Sequence, residues 1–400
     1  MQQFSGAQYL KMDVASKFGL DKENWDVRLA WFHENEHRLE ELVPQADEQA
    51  GFLAGAMAYR KAKSGIATGY TISLDATSSG VQILSALAGC EKSARTCNLI
   101  NTGNREDAYT IVYDSMNREL GANGYAVRDK VKIAVMTSLY GSKAEPRKVF
   151  GEKSKELAQF YKTMPVELPG AWELNEDLIN LWNPNAYKHS FTLADGFDVV
   201  LKVMDAVETT VHFNGAPYDI IQHVNQPKDG EVSLAANIVH SIDGMIVREM
   251  QRRCQYDRNQ VESVLAITTY GTRTDRKKDL ELLRLLRLYR DSQFMSARIF
   301  QYIDGENSGH FSHAERLEIK YLAEGMLVHR PFEILTIHDC FRCLPNYGNH
   351  LRYHYIEIMA QIARSEILSH IASQLTGRKV IAKKKADISS LILEAEYPIC

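Results

Sequence analysis

The 400-residue chain lacks any apolar run long enough to span a bilayer, which takes about 20 residues, and it opens on MQQFSGAQYL, which has no secretory-leader pattern. No membrane role is expected. Cysteines are few and scattered (Cys90, Cys97, Cys254, Cys340, Cys343 and Cys400), which excludes a secreted disulfide framework and points to a reducing cytoplasm. Cys340-x2-Cys343 has the spacing of half a zinc site, but no second CxxC or HxxxH accompanies it, so it reads as thiols on a strand. There is no excess of positive charge: the formal net charge is -4, so any nucleic-acid role must rest on local basic surfaces. Internal repeats and low-complexity linkers are also missing. What remains is ordinary for a soluble globular protein with a sizeable core, 45% apolar and 24% charged residues, and the length suggests two or three domains.

Periodicity predicts a mainly helical chain. Residues 1–65 read as helices, and Thr71–Asp75 as a short strand followed by a flexible turn and an apolar helix from Val81. Arg105–Leu120, about Tyr125–Tyr140, 142–185, Val232–Arg253 and Leu351–Leu375 read as helices. Between Phe197 and Val224, β-branched runs punctuated by Asn214-Gly215 predict β-hairpins. Residues 255–330 are mainly helical, and Arg276–Arg290 is a basic amphipathic helix whose Arg284, Arg287 and Arg290 form one stripe. Such a stripe is a solvated face more often than a nucleic-acid or partner surface.

Three stretches carry chemistry. In TISLDATSSGVQILSALA, Asp75 ends a strand and is held at the rim of a sheet, where hard cations can be met. In VRDKVKIAVMTSLYGSK, Arg128, Lys132, Met136 and Tyr140 are four apart, so they share one broad helix face. Two cations early in a helix oppose its dipole unless an anion such as a polyphosphate sits there; spacing alone also fits a solvated basic face. In PFEILTIHDCFRCLP, two β-rich runs flank His338-Asp339, so a hairpin turn presents a second carboxylate. Two carboxylates brought together need cations between them. Two Mg2+ ions about 4 Å apart suit nucleotidyl transfer, in which positioning and electrostatics do most of the work.

The motifs D-x-x-x-S-G-x-Q (Asp75–Gln82), R-x-x-x-K-x-x-x-M-T-x-x-Y-G-S-K (Arg128–Lys143) and I-H-D-x-F (Ile337–Phe341) resemble, in order, motifs A, B and C of the single-subunit bacteriophage-type DNA-directed RNA polymerases, a family that includes mitochondrial enzymes. FGLDKENWDVRLAWFHENEH, NIVHSIDG and LILEAEYPIC are similar to the family's palm-opening helix, its V-H-S-x-D-G helix and its C-terminal tail. The resemblance implies an α+β fold: a right-hand polymerase palm, an antiparallel sheet with helices, plus mainly helical fingers. Residues 1–103 would form the first part of the palm and 104–245 the fingers, with a promoter-reading-like hairpin at about 190–232. Residues 246–400 would form the second part of the palm, with a helical insertion at about 255–330.

It also implies roles. Asp75 and Asp339 would bind both Mg2+ ions, assisted by the Ala76 carbonyl. Lys132 would contact the triphosphate and act as general acid; Arg128 would bind phosphates. Tyr140 would close the nucleotide site and help select ribose, Gly141 would give room to the template base, and His338 would position the RNA 3′ end or the metals. Tyr109 would line the nucleotide entry. Related DNA polymerases carry a Glu where this chain has Gly80, which leaves room for a ribose 2′-hydroxyl. The expected substrates are rNTPs, with a DNA template and nascent RNA.

The family's N-terminal domain and thumb should lie upstream of residue 1, the hairpin after Phe213 looks shortened, and the arm between His240 and His338 is unusually long. The chain therefore resembles the larger, catalytic subunit of a two-subunit phage enzyme, active in the cytoplasm of the infected bacterial host, whose smaller subunit supplies the missing part. The alternatives are a DNA polymerase or primer-making relative, which Gly80 opposes, and a non-catalytic scaffold, which the intact charged residues oppose.

Overall fold

In the computed structural model all residues are described except 271–275 and the side chain of Asn123. The described residues form seven strands: β1 (Ile72–Asp75), β2 (Lys188–Thr192), β3 (Asp198–Lys202), β4 (Met204–Phe213), β5 (Ala216–Asn225), β6 (Leu335–Ile337) and β7 (Cys340–Cys343). β1, β7 and β6 make one antiparallel sheet in that order, with Asp75 opposite Cys340 and Ile337 opposite Cys340. Alternation sets the faces. Ile72, Leu74, Phe341 and Cys343 are buried, so Ser73, Asp75, Cys340 and Arg342 point the other way. Cys340 and Cys343 thus lie on opposite faces of β7.

The sheet is held from both ends of the sequence. The Ala76 amide donates to the Asp339 carbonyl at 3.2 Å, tying the turn after β1 to the β6–β7 turn. On the other side, Asp75 and Cys400 exchange backbone hydrogen bonds at 3.0 and 3.4 Å, and Thr77 donates to the Pro398 carbonyl at 3.2 Å. Gln82 locks this junction. It is 0% exposed. Its amide donates to Thr77 Oγ1 and to the carbonyls of Cys97 and Pro398 at 2.9–3.1 Å, and its oxygen accepts from the Tyr355 hydroxyl at 2.6 Å. The helix that carries it, Ser79–Ala88, is buried from Val81 onward, as expected of a helix apolar on all sides.

The main core packs this helix against Ser233–Cys254 and Gly348–Arg364. A second apolar cluster draws on residues 256–326 alone, including Val261, Leu285, Phe300 and Ile319. The chain enters and leaves this region at adjacent points, since Phe332 N donates to the Cys254 carbonyl at 2.9 Å. The helical expectation for 255–330 holds for its described residues; 271–275 lie outside them. The basic helix spans Leu280–Ser292, and its stripe is largely spoken for: Arg284 pairs with Asp198 at 2.9 Å and Arg290 with Glu315 at 2.7 Å.

The predicted hairpin across Asn214-Gly215 forms as β4–β5, whereas β3 pairs with β2, a strand that precedes the predicted runs. The β4–β5 turn places Asn214 (φ 50°) and Gly215 (φ 78°) in the left-handed region, as a two-residue turn with the sheet's twist demands. Leu351–Leu375 is not one helix but two, Gly348–Arg364 and Ile367–Thr376. The break lies at Ser365, whose backbone is extended (ψ 169°), and Lys384 caps the first helix by donating to the carbonyls of Ile362, Ala363 and Ser365. No helix among the described residues is long and apolar enough to cross a membrane.

Candidate active site

Asp75 ends β1, and Asp339 sits in the two-residue turn between β6 and β7, where His338 takes a left-handed φ of 55°. A non-glycine residue rarely pays for that conformation without a reason nearby. The register brings the two carboxylates to the same end of the sheet. Asp75 remains open to solvent at the rim of a concave wall. The enclosure, and next the Asp339 carboxylate, push its carboxyl up to about 6.

Eight of the residues singled out from the sequence line one cleft of about 380 Å³: Asp75, Ala76, Gly80, Tyr109, Lys132, Tyr140, His338 and Asp339. Arg128 lies in an adjoining cleft of about 510 Å³ that shares Asp75, Ala76, Tyr109 and Lys132 with the first. The structure does not bring Gly141 to either cleft. It follows the C-terminus of the Arg128–Leu139 helix with φ 84°, and a Cβ there would meet the Val232 Cβ at 2.9 Å. Backbone conformation and packing account for this glycine.

The helix with the four-residue spacing begins at Arg128, not Tyr125. Arg128 is ion-paired with Asp107, and its Nε donates to Thr110 Oγ1 at 2.9 Å. Asp107 in turn caps the Ala108–Leu120 helix by accepting from the Tyr109 and Thr110 amides, so that helix starts later than the sequence pattern suggested. Lys132 is exposed to the cleft, its Nζ 5.7 Å from the centre of the Tyr109 ring. The Tyr109 hydroxyl is 3.1 Å from Ser78 Oγ.

Tyr140 follows the last turn of the helix with its ring 4.6 Å from that of His240. Burial, then Asp243, Tyr109 and Asp339, push its hydroxyl up to about 12, so it stays neutral and able to donate near neutral pH. A Cβ at Gly80 would fall 2.9 Å from the Tyr140 hydroxyl oxygen.

Sequence reasoning missed three residues. Asp107 holds Arg128. His240 backs Tyr140. Asp243 is a third carboxylate in the cleft; burial and then Asp339 push it up to about 6, while His338 pulls it down. The signal for the last two was the three-residue spacing in VHSIDG, which puts His240 and Asp243 on one helix face.

The donor set suits a hard divalent cation. Its oxygens are carboxylates whose mutual repulsion a cation would relieve. Among the described residues no three His, Cys, Asp or Glu side chains converge as a ready-made cage. Mg2+ does not require one, because it is commonly held by one or two carboxylates together with water and substrate phosphates.

Residues 2–165 match the family model described as DNA-dependent RNA polymerase. Two curated relatives are similar. A DNA-directed RNA polymerase of Pseudomonas phage phiKMV is 30% identical, over 34% of this chain and 21% of its own length. A probable DNA-directed RNA polymerase of Neurospora crassa is also 30% identical, over 34% of this chain and 18% of its own. The matches therefore span a minor part of each relative. The family match includes Asp75, Gly80, Tyr109, Arg128, Lys132 and Tyr140; His338 and Asp339 lie beyond it.

Proposed function

We propose that the chain is the catalytic part of a DNA-directed RNA polymerase, a nucleotidyltransferase that adds ribonucleotides to an RNA 3′ end on a DNA template and releases pyrophosphate. The observation that carries this reading is the convergence of Asp75 and Asp339, from opposite ends of the sequence, on one cleft with Lys132 and Tyr140. The first, third and fourth of these lie in the stretch similar to DNA-dependent RNA polymerases.

Each residue has a task there. Asp75 and Asp339 would hold two Mg2+ ions, with the Ala76 carbonyl assisting. When bound, such ions activate the attacking 3′-hydroxyl and stabilise the leaving pyrophosphate. Lys132, free to move at the cleft wall, would meet the triphosphate and carry the proton that pyrophosphate takes as it departs. Arg128, braced by Asp107, would set the positive potential of the adjoining cleft. Tyr140 closes the sugar side, and His338 would position the RNA end.

Gly80 favours this reading over a DNA polymerase, because no side chain there obstructs a 2′-hydroxyl. The chain would work with a smaller second subunit, in the transcription of viral genes in the cytoplasm of an infected bacterium. The region with its own apolar core, 256–326, would be an insertion and is a natural place for part of that contact.

The test is run-off RNA synthesis by the chain together with its second subunit, comparing the wild type with Asp339→Ala. Loss of synthesis with an unchanged unfolding curve is expected. Undiminished synthesis in the variant would refute the reading.

A further inference from the structure

We propose that the β4–β5 ribbon docks the second polymerase subunit through its apolar face and does not grip DNA. The inference rests on the reading of this chain as one of two subunits.

The starting point is an uncovered sheet face. β4 and β5 pair along their whole length, ten residues each, which makes a ribbon about 34 Å long. Residues directly opposite in such a pair share a face. One face carries Val207, Val211, Phe213, Tyr218, Ile220 and Val224, and bears no charge between Val207 and Gln222. The other face is mostly polar, with Glu208, Thr210, His212, Asp219 and His223. Apart from Val207 the six apolar side chains are exposed, Phe213 by 68% and Tyr218 by 55%. None of them joins an apolar cluster among the described residues. The base of the ribbon is fixed, because Asn225 Nδ2 donates to the carbonyls of Tyr187 and Val203 at 2.8 and 2.7 Å. A two-stranded ribbon is marginal in water by itself, and a continuous exposed apolar face marks a surface that something covers.

Charge narrows what covers it. The resemblance makes this ribbon a candidate reader of promoter DNA, but its residues oppose that role. No Lys or Arg occurs between Lys202 and Lys228, whereas Asp205, Glu208 and Asp219 do. Affinity for DNA rests on cations set against phosphates, and base reading depends on those contacts for its register. Here one face is uncharged and the other acidic, so a duplex would be repelled. The same charges suit a protein. A subunit that shares a DNA template with this chain needs cationic surface of its own. An apolar groove with a basic rim on that subunit would cover the uncharged face and meet Glu208 and Asp219 at its edge. A second copy of this chain fits less well, since its ribbon would bring three more acids beside these.

The experiment titrates three forms of the chain with the second subunit and, separately, with duplex DNA: the wild type, the double variant Phe213→Ser with Tyr218→Ser, and the double variant Glu208→Lys with Asp219→Lys. All four positions are exposed, so both variants should keep the unfolding curve of the wild type. The apolar variant should bind the subunit about tenfold more weakly or worse, as loss of aromatic anchors does. The charge variant should bind it about threefold more weakly at low salt, an effect that fades at high salt. Neither should lose affinity for DNA. In the wild type, deuterium uptake across 204–225 should fall when the subunit is added, a readout that needs no variant. Unchanged subunit affinity in the apolar variant, or unchanged uptake in the ribbon, would overturn the inference. So would a charge variant that binds the subunit more tightly, since the subunit's rim would then be acidic. Weaker DNA binding by the apolar variant with subunit binding intact would overturn it by making the ribbon a DNA reader. Self-association of the wild type that this variant abolishes, again with subunit binding intact, would overturn it in favour of a contact between copies. No association of the wild type with a second subunit would overturn the two-subunit reading and this inference with it, and would leave the reading of the active site standing.

Discussion

The Tyr140 hydroxyl lies over Gly80, so close that a Cβ at position 80 would come within 2.9 Å of its oxygen and 3.3 Å of its Cζ. The glycine is therefore needed first by the protein and only then by a substrate. Gly80 is the second residue of the Ser79–Ala88 helix and does not occupy the left-handed region, so the backbone itself would accept a side chain. Alanine would even favour the helix by about 1 kcal/mol. Gly80→Ala is thus expected to leave thermal stability near the wild type while displacing Tyr140, and Gly80→Glu to do so further. Ribonucleotide incorporation should fall by about tenfold or more in Gly80→Glu, as expected when a polar pocket is obstructed. Adding Tyr140→Phe, which removes the crowded oxygen, should recover part of the loss in Gly80→Ala. Primer extension with single nucleotides measures both effects, and unchanged ribonucleotide use in Gly80→Glu would contradict them.

Asp107 and Arg128 join the N-termini of two helices. Because Asp107 also caps one of them, Asp107→Ala should cost more than Arg128→Ala. Loss of the cap alone is worth about 1 kcal/mol, and the partly exposed ion pair should add a coupling of about 1 kcal/mol in a double-mutant cycle. Urea unfolding of the two single variants and the double variant gives the coupling. A value indistinguishable from zero would mean that the pair does not tie the helices together.

The acids of the cleft set a pH dependence whose sign changes with metal. Asp75 and Asp243 are both raised to about 6 from a usual value near 4. The native state without metal therefore binds protons that the unfolded chain has already released, and these groups favour folding at low pH. Their contribution is fully present below about pH 4 and is lost as the pH rises through about 6. A divalent cation binds the ionised forms and should reverse the trend. Thermal unfolding between pH 5 and 7.5 should show stabilisation by Mg2+ that shrinks steeply below pH 6. Asp75→Asn should flatten the metal-free profile. Stabilisation by Mg2+ that did not vary over this range would show that these carboxylates are not where it binds.

Local signals made much of this readable beforehand. The β-rich runs ending at Asp75 and flanking His338-Asp339 gave the strands that carry both acids, Asn214-Gly215 gave a hairpin turn, and a spacing of four put Lys132, Met136 and Tyr140 on the cleft wall. What stayed hidden depended on partners distant in sequence. The break at Ser365 is fixed by Lys384, nineteen residues on. Asp107 gains its meaning from Arg128, and Gly141 answers to Val232 instead of the cleft. Asp243 was in plain view in VHSIDG, but an acid on a helix face is ordinarily solvated, and nothing local tells that its face looks onto Asp339.

Gln82 shows how far the cleft depends on a residue that never reaches it. Its amide and oxygen join the turn after β1, the Cys97 loop, the Tyr355 hydroxyl and Pro398, the residue that begins the pairing of the chain's last residues with Asp75–Thr77. Gln82→Leu has nearly the same volume but leaves these groups without their partner in a dry interior. Each unpaired buried group costs about 1–3 kcal/mol, so the variant should lose several kcal/mol in urea unfolding. The damage should also be directional. With Pro398 released, the Asp75–Cys400 pairing should open before the rest of the fold, and the Asp75 and Cys400 amides should exchange with deuterium faster than those of Ile72 or Phe341, deeper in the same sheet. Divalent affinity should fall with it, because Asp75 would then be held from one side only. Uniformly faster exchange across the sheet would instead make Gln82 a general core residue with no special hold on the carboxylate.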